Sequence, residues 1–282
     1  MLSFRFGTVG TPKNKPSSPG GSVGGVLYTA EIGLNAMELG WVRSVRVSDS
    51  TAQAIKKAGE KSDVALSVHA PYYINLNGDD QEWPKSRKRL MDAARAGFLS
   101  GATDIVFHPG SYFEQDPSDV LKTVMPRLAG CVEELQEEGN TVVLRPETMG
   151  KGAMLGSLED TLEMSKIEGV EPCLDFAHLH ARPGDGSMNS YQEWMQMLET
   201  YASRLGEDSL TRLHCHISGI EYTEKGEQNH LIMEESDFEL EALFKALKEF
   251  RVEGRLLCES PTLEEDALII KDAWMAFSGE AE

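Results

Sequence analysis

Histidines and acids recur in this chain at the ends of apolar runs. His69 closes LSVHAPYY and His108 closes DIVFHPGSY. Glu147 ends TVVLRPET, Asp175 and His178 close PCLDFAH, and His180 follows. His214 and His216 end RLHCHISG, His230 lies in the next loop, and Glu259 ends RLLCESP. Singly, each has an ordinary explanation: a hydrogen-bonded structural histidine, or an acid capping the following helix, as Glu147 could. Together, seven histidines and three carboxylates on six consecutive runs or their loops exceed what capping requires. Gathering so many ionisable groups is costly unless a cation compensates them. Imidazole with carboxylate favours zinc, manganese or iron, and the set is too large for one tetrahedral ion. The expectation is a cluster of two or three ions. Other chemistries lack their signatures: there is no Walker A loop, H-E-x-x-H or C-x-x-C.

The elements that must position these residues are legible as a repeat. Apolar or β-branched runs near 5–9, 36–42, 64–68, 104–107, 141–145, 171–175, 212–217 and 255–258 start 28 to 43 residues apart. Short, continuously apolar runs suit parallel strands covered on both faces. Helices are expected between them, near 20–33, 49–61, 84–99, 116–138, 157–167 and 190–204. Two more should open at capping boxes, Ser236 with Glu239 and Thr262 with Glu265. Eight strands alternating with eight helices imply an α/β fold, a single (β/α)8 barrel over residues 1–282, with the site at the C-terminal rim of the strands. GGSVGG at 20–25 lacks dinucleotide-binding spacing and reads as part of a flexible loop running into the first helix.

Composition narrows the class. The 282 residues are 40% hydrophobic and 26% charged, enough for a substantial core. No stretch approaches the ~20 apolar residues of a membrane span, and MLSFRFGTVGTPKNK lacks a signal peptide's apolar core. The four cysteines are scattered, which suits reduced thiols in a cytoplasmic protein without membrane attachment. Net charge is −19, but residues 1–90 hold 12 Lys+Arg against 8 Asp+Glu, while residues 91–282 hold 15 against 38. That excludes a sequence-independent nucleic-acid coat and allows one localised face for phosphate.

The motifs SVHAPYYINL, FHPGSY, PETMG, CLDFAH and LLCESP resemble endonuclease IV, the metal-dependent apurinic/apyrimidinic endonucleases of base-excision DNA repair. They occur in order, one per strand end, from Ser67 onward. The resemblance implies a xylose-isomerase-like TIM barrel holding zinc, with manganese or iron also compatible. It implies a monomer acting on double-stranded DNA with abasic sites, hydrolysing the phosphodiester 5′ to the site. By the same resemblance, His69 and His108 are ligands of a first ion and Glu147 bridges it to a second. Asp175, a strand-7 histidine and Glu259 complete the second, and His178 and His230 hold the third. His214 and His216 share a face, and His216 fits the pattern better. Glu147 would also orient or deprotonate the attacking water. Tyr72 and Tyr73 resemble a loop that wedges into the stack at an abasic gap, flanked by Arg43, Arg46, Lys85, Arg87, Lys88 and Arg89.

The family's third site has an aspartate where Gln228 stands. Either Glu227 swings in after a one-residue shift, or His180 supplies a nitrogen, or the third ion is held weakly. The last is the expectation, leaving two tight ions. The competing reading is a divalent-metal sugar isomerase or epimerase on the same barrel, with a lysine or second glutamate over a sugar C–H.

Overall fold

Eight short apolar runs form strands: β1 (Phe4–Val9), β2 (Ala36–Gly40), β3 (Ala65–His69), β4 (Asp104–Phe107), β5 (Val143–Pro146), β6 (Cys173–Asp175), β7 (Leu213–Ile217) and β8 (Gly254–Cys258). This computed structural model describes residues 3–280. Every neighbouring pair is parallel, in the order β5-β4-β3-β2-β1-β8-β7-β6. The ring closes where Leu144 bridges Val170 and Glu147 bridges Cys173. Parallel neighbours need long crossovers, and helices provide them. They are α1 (Gly21–Glu31), α2 (Asp49–Ser62), α3 (Trp83–Leu99), α4 (Pro117–Glu137), α5 (Leu158–Met164), α6 (Phe176–Ala181), α7 (Tyr191–Leu205), α8 (Leu240–Glu249) and α9 (Glu264–Ser278).

Several helix starts follow from local chemistry. The Ser48 side chain accepts from Thr51 N at α2, Asp116 from Ser118 N at α4, and Ser157 and Ser190 build capping boxes with Asp160 and Glu193. The two boxes expected from sequence do not form. Glu239 and Leu263 stand at the N-caps of α8 and α9 without a side-chain cap. Ser236 Oγ accepts from Ile220 N instead, Thr262 pairs with Ser260, and Glu264 receives the backbone N–H groups of Lys13 and Asn14. Ser236 and Glu265 are thus taken by contacts from distant segments, and Thr262 by its near neighbour Ser260.

The glycine-rich segment is helical rather than loop. A Cβ on Gly24 would meet the Pro19 carbonyl oxygen at 1.8 Å, so the close approach of the preceding turn requires glycine there.

Apolar packing lies between strands and helices. Val68, Ile105 and Leu144 pack with Leu90, Val124 and Leu128 on one side. Phe4, Leu174 and Leu256 pack with Trp194, Phe244 and Trp274 on the other. The barrel interior differs. Side chains from strands that are not neighbours meet across it: Arg255 of β8 lies 3.0 Å from Asp104 of β4, and His214 of β7 lies 2.9 Å from Glu38 of β2. Asp104 is further held by Arg145 at 2.6 Å, and all these groups are buried or nearly so. The barrel is filled by ion pairs along its axis, in contrast to the usual layers of branched apolar residues.

Candidate metal centre

At the C-terminal rim, parallel register carries strand-end side chains into one volume. His69 ends β3, His108 follows β4, Glu147 follows β5, Asp175 ends β6, His216 lies in β7 and Glu259 follows β8. Asp175 also caps α6, accepting from His178 N at 2.7 Å, which turns His178 toward the same space. A hairpin of Gly219–Thr223 and Gly226–Leu231 folds over the rim and adds Glu227 and His230.

Three groups of ligand-type atoms result: His69, His108 and Glu147; Glu147, Asp175, His216 and Glu259; and His178, Glu227 and His230. Within each, the atoms lie within 4.8 Å of one another. Glu147 is fully buried and central. Its Oε2 is 3.3 Å from His69 Nε2 and 3.1 Å from His108 Nε2, while Oε1 is 3.2 Å from His216 Nδ1. His69 Nδ1 and His178 Nδ1 are tied to the Ala70 and Thr148 carbonyl oxygens at 3.0 and 2.9 Å. Those bonds leave each Nε2 facing the cluster, as outer-shell partners of metal-binding histidines do.

Glu147 Oε2 and Asp175 Oδ2 are buried without any hydrogen-bond partner. Two orphaned carboxylate oxygens cost several kcal/mol by order of magnitude. Imidazole nitrogens converge on Glu147 Oε2 at non-bonded distance. The donor set therefore fits divalent cations of the zinc, manganese or iron type.

Electrostatics agree. Burial pushes the His69 and His178 pKa values down, but Glu147 at His69, and Asp175 with Glu147 at His178, outweigh it and lift both to about 9. Burial would raise Glu147, yet His108, His216 and His69 hold it well below the usual carboxylate range.

The structure resolves the open choices of the sequence. His216 joins the cluster. His214 turns into the barrel, where Nε2 meets Glu38. At the third group the first of the sequence's alternatives is the one seen: Glu227 joins His178 and His230. The hairpin register shifts between Glu221 and Tyr222, so Tyr222 pairs with Glu227 and Gln228 falls outside the pairing. Gln228 is exposed and bonds Thr223 and its neighbour's carbonyl, whereas Glu227 Oε2 reaches within 3.5 Å of His178 Nε2. His180 faces away, held by the Ser187 carbonyl and Asp237 at 3.0 Å each. Glu38 went unread in the sequence, although a lone acid within AMELG was a signal.

The surface residues divide. Tyr73 is 64% exposed, whereas Tyr72, 50% exposed, stacks on His108 at 5.0 Å. Arg43 and Arg46 are exposed. Arg87 is engaged by Glu134 of α4, and Arg89 by Glu82 and the Tyr73 carbonyl at 2.8 Å. These two arginines brace α3 and the tyrosine loop, because their partners lie on elements that sequence spacing did not bring beside them.

A family model for the xylose isomerase-like TIM barrel matches residues 26–276. An uncharacterized protein of Methanocaldococcus jannaschii is 35% identical over 266 residues, covering 94% of both chains. A probable endonuclease 4 of Ureaplasma urealyticum is 32% identical over 164 residues, or 54% of this chain and 51% of that protein. The chain thus spans about half the length of that endonuclease relative. In fold, it is similar to crystalline endonuclease IV from Thermus thermophilus (TM-score 0.70, 20% identity, 93% of this chain and 95% of that one). It is also similar to a D-tagatose 3-epimerase-like protein (0.67, 19%, 89% and 91%). Among the described residues, no helix is long and apolar enough to cross a membrane.

Two outcomes follow. Glu227→Gln should weaken one ion by more than the roughly 10- to 100-fold typical of losing an outer-shell partner, while Gln228→Asp leaves stoichiometry unchanged. Metal analysis after dialysis checks both. Second, His69 and His178 carry protons at pH 7 that an ion must displace. Zinc affinity should rise with pH to about 9, then flatten. The metal-free protein should trend oppositely. Its raised histidine pKa values contribute stability fully present below the unfolded value of 6.5 and lost as pH rises through about 9. Thermal midpoints and zinc titrations of chelator-stripped protein between pH 6 and 10 test the pair, those bounds being set roughly by the two pKa values.

Proposed function

We propose that this chain, which belongs to the xylose isomerase-like TIM-barrel family, is a metal-dependent endonuclease that hydrolyses DNA 5′ to abasic sites. The observation that carries the reading is the three contiguous ligand groups, rather than one, around Glu147. A single four-residue group, such as Glu147, Asp175, His216 and Glu259, would suffice to hold one ion at a sugar. The flanking groups, His69 with His108 and His178 with Glu227 and His230, suit a tetrahedral phosphorus whose attacking, leaving and equatorial oxygens all need compensation.

When bound, divalent ions supply Lewis acidity and lower the pKa of water to near ~7. Glu147 is placed to orient the attacking water, since its two oxygens face two different groups. Water adds to phosphorus and the bond to the 3′-oxygen of the preceding nucleotide breaks, leaving a 3′-hydroxyl and a 5′-deoxyribose phosphate. The acidic bulk of the chain disfavours general binding to DNA. Arg43 and Arg46 present exposed positive charge, and Tyr73 offers a ring face to replace lost base stacking. Tyr72 covers His108 and Arg89 holds the loop.

Support for the reading comes from curated endonuclease 4 relatives and from the ordered strand-end motifs. The sugar-epimerase alternative draws on the single group at Glu147, Asp175, His216 and Glu259 and on the likeness to an epimerase-like structure.

Purified protein with zinc or manganese should nick a duplex carrying one abasic analogue on its 5′ side. Absence of incision, with epimerisation of a ketose instead, would sink the endonuclease reading. On the same duplex, Tyr73→Ala should weaken binding by about 1–3 kcal/mol and leave binding to intact duplex and bound metal unchanged. Tyr72→Ala should in addition loosen the ion at His108. Equal losses on damaged and intact DNA for Tyr73→Ala would make the ring a structural residue.

A further inference from the structure

We infer that Glu38, clamped by Ser67 and His214, is the positioning residue that fixes His216 with Nδ1 toward the metal groups and Nε2 turned into the barrel. Glu38 is fully buried in β2. Ser67 of β3 donates its hydroxyl to Oε2 at 2.6 Å, and His214 Nε2 donates to the same oxygen at 2.9 Å. The other oxygen, Oε1, lies 3.1 Å from His216 Nε2. That pair is off hydrogen-bond alignment, and neither atom has a hydrogen-bond partner elsewhere; Cys173 also lies close to His216. On its opposite edge, His216 Nδ1 faces Glu147 and Glu259 at 3.2 and 3.4 Å.

An imidazole that offers the Nδ1 lone pair to a cation must carry its proton on Nε2. A carboxylate oxygen at Nε2 selects that tautomer and holds the ring plane. Glu38 is reached from β7 only across the barrel, because β1 and β8 lie between β2 and β7 in the sheet. His214, one turn of the strand pleat below His216, keeps Glu38 from rotating away. The two histidines of RLHCHISG therefore divide the work: His216 meets the cluster and His214 secures its support. Cys173, His214 and His216 also lie close enough to form a ligand group of their own. In that group His214 Nε2 is engaged by Glu38 while its Nδ1 has no hydrogen-bond partner, so the zinc stoichiometry of His214→Gln separates the two roles.

The inference rests on the reading that the rim holds divalent ions, and its test is made without DNA. Zinc affinity is measured by chelator competition on metal-stripped wild type, Glu38→Gln, Ser67→Ala and His214→Gln. Histidine ring tautomers are read by nitrogen NMR, and thermal midpoints of the metal-free proteins report on folding. Glu38→Gln should lower zinc affinity roughly 10- to 100-fold, turn His216 of the zinc-loaded protein from Nδ1 binding alone to a mixture of Nδ1 and Nε2 binding, and leave the metal-free protein folded. Ser67→Ala removes one bond of the clamp and should give a smaller loss in the same direction. It carries the test if Glu38→Gln does not fold. Wild-type affinity and an unchanged His216 tautomer in the folded variant would overturn the assignment. So would loss of one whole zinc equivalent in His214→Gln with Glu38→Gln unaffected, since His214 would then be a ligand itself. Wild type that binds no divalent ion would defeat the metal-centre reading as well, an outcome distinct from wild type and Glu38→Gln binding equally.

Discussion

Burial of Glu147 without a hydrogen-bond donor for Oε2 is the constraint around which the rim is organised. A carboxylate removed from water must find positive charge, and three histidines from β3, the β4 end and β7 converge on it. Those histidines can supply charge as protons or give it up to bound cations. Under the proposed metal-dependent reading the same residues serve a metal-free and a metal-loaded state, with protons and ions exchanging in one volume. Asp175 extends the arrangement: one oxygen caps α6 and turns His178 inward, while the other is left without a donor.

Below the rim, charged and polar side chains meet along the barrel axis. Asp104 pairs with both Arg145 and Arg255 near the base, Arg145 also meets Glu171, and Glu38, Ser67 and His214 form the layer beneath the cluster. Buried ion pairs contribute little net stability, and breaking one partner away is expensive. Stability must come from the apolar shell between strands and helices, where Trp194, Trp274 and Phe244 on one side and Leu90, Val124 and Leu128 on the other are buried. The axial charges restrict the strands to one register, since a shift of one residue would reverse each side chain to the opposite face.

Loops beyond the strand ends add what strands cannot. The hairpin Gly219–Leu231 lays Glu227 and His230 over the rim. A two-residue pair of strands, Gly110–Ser111 with Met154–Leu155, fastens the loops after β4 and β5. Arg182 secures the second of these by donating to the carbonyls of Met149, Lys151 and Met154. These connections are thus pinned by backbone-directed bonds, with Tyr73 and Phe113 projecting from held loops.

The eight strands, their parallel order and the ligand-type residues at their ends were legible in sequence, because they depend on local features: apolar runs at barrel spacing and polar residues one step beyond them. His69, His108, Glu147, Asp175, His216 and Glu259 follow that rule, whereas His178 and His230 come from the helix and hairpin beyond the strands. What only the tertiary structure decided involves partners distant in sequence. Glu227 replaced Gln228 because a bulge at Glu221 and Tyr222 changed which residue faces His178. Glu38 gained its role from His214, 176 residues away, across the closed barrel. Arg87 was drawn to Glu134, and Ser236 to Ile220 rather than to capping. Side-chain type and strand period are properties of the chain itself; which of several similar groups meet is settled by register and closure, which form only when distant segments pack.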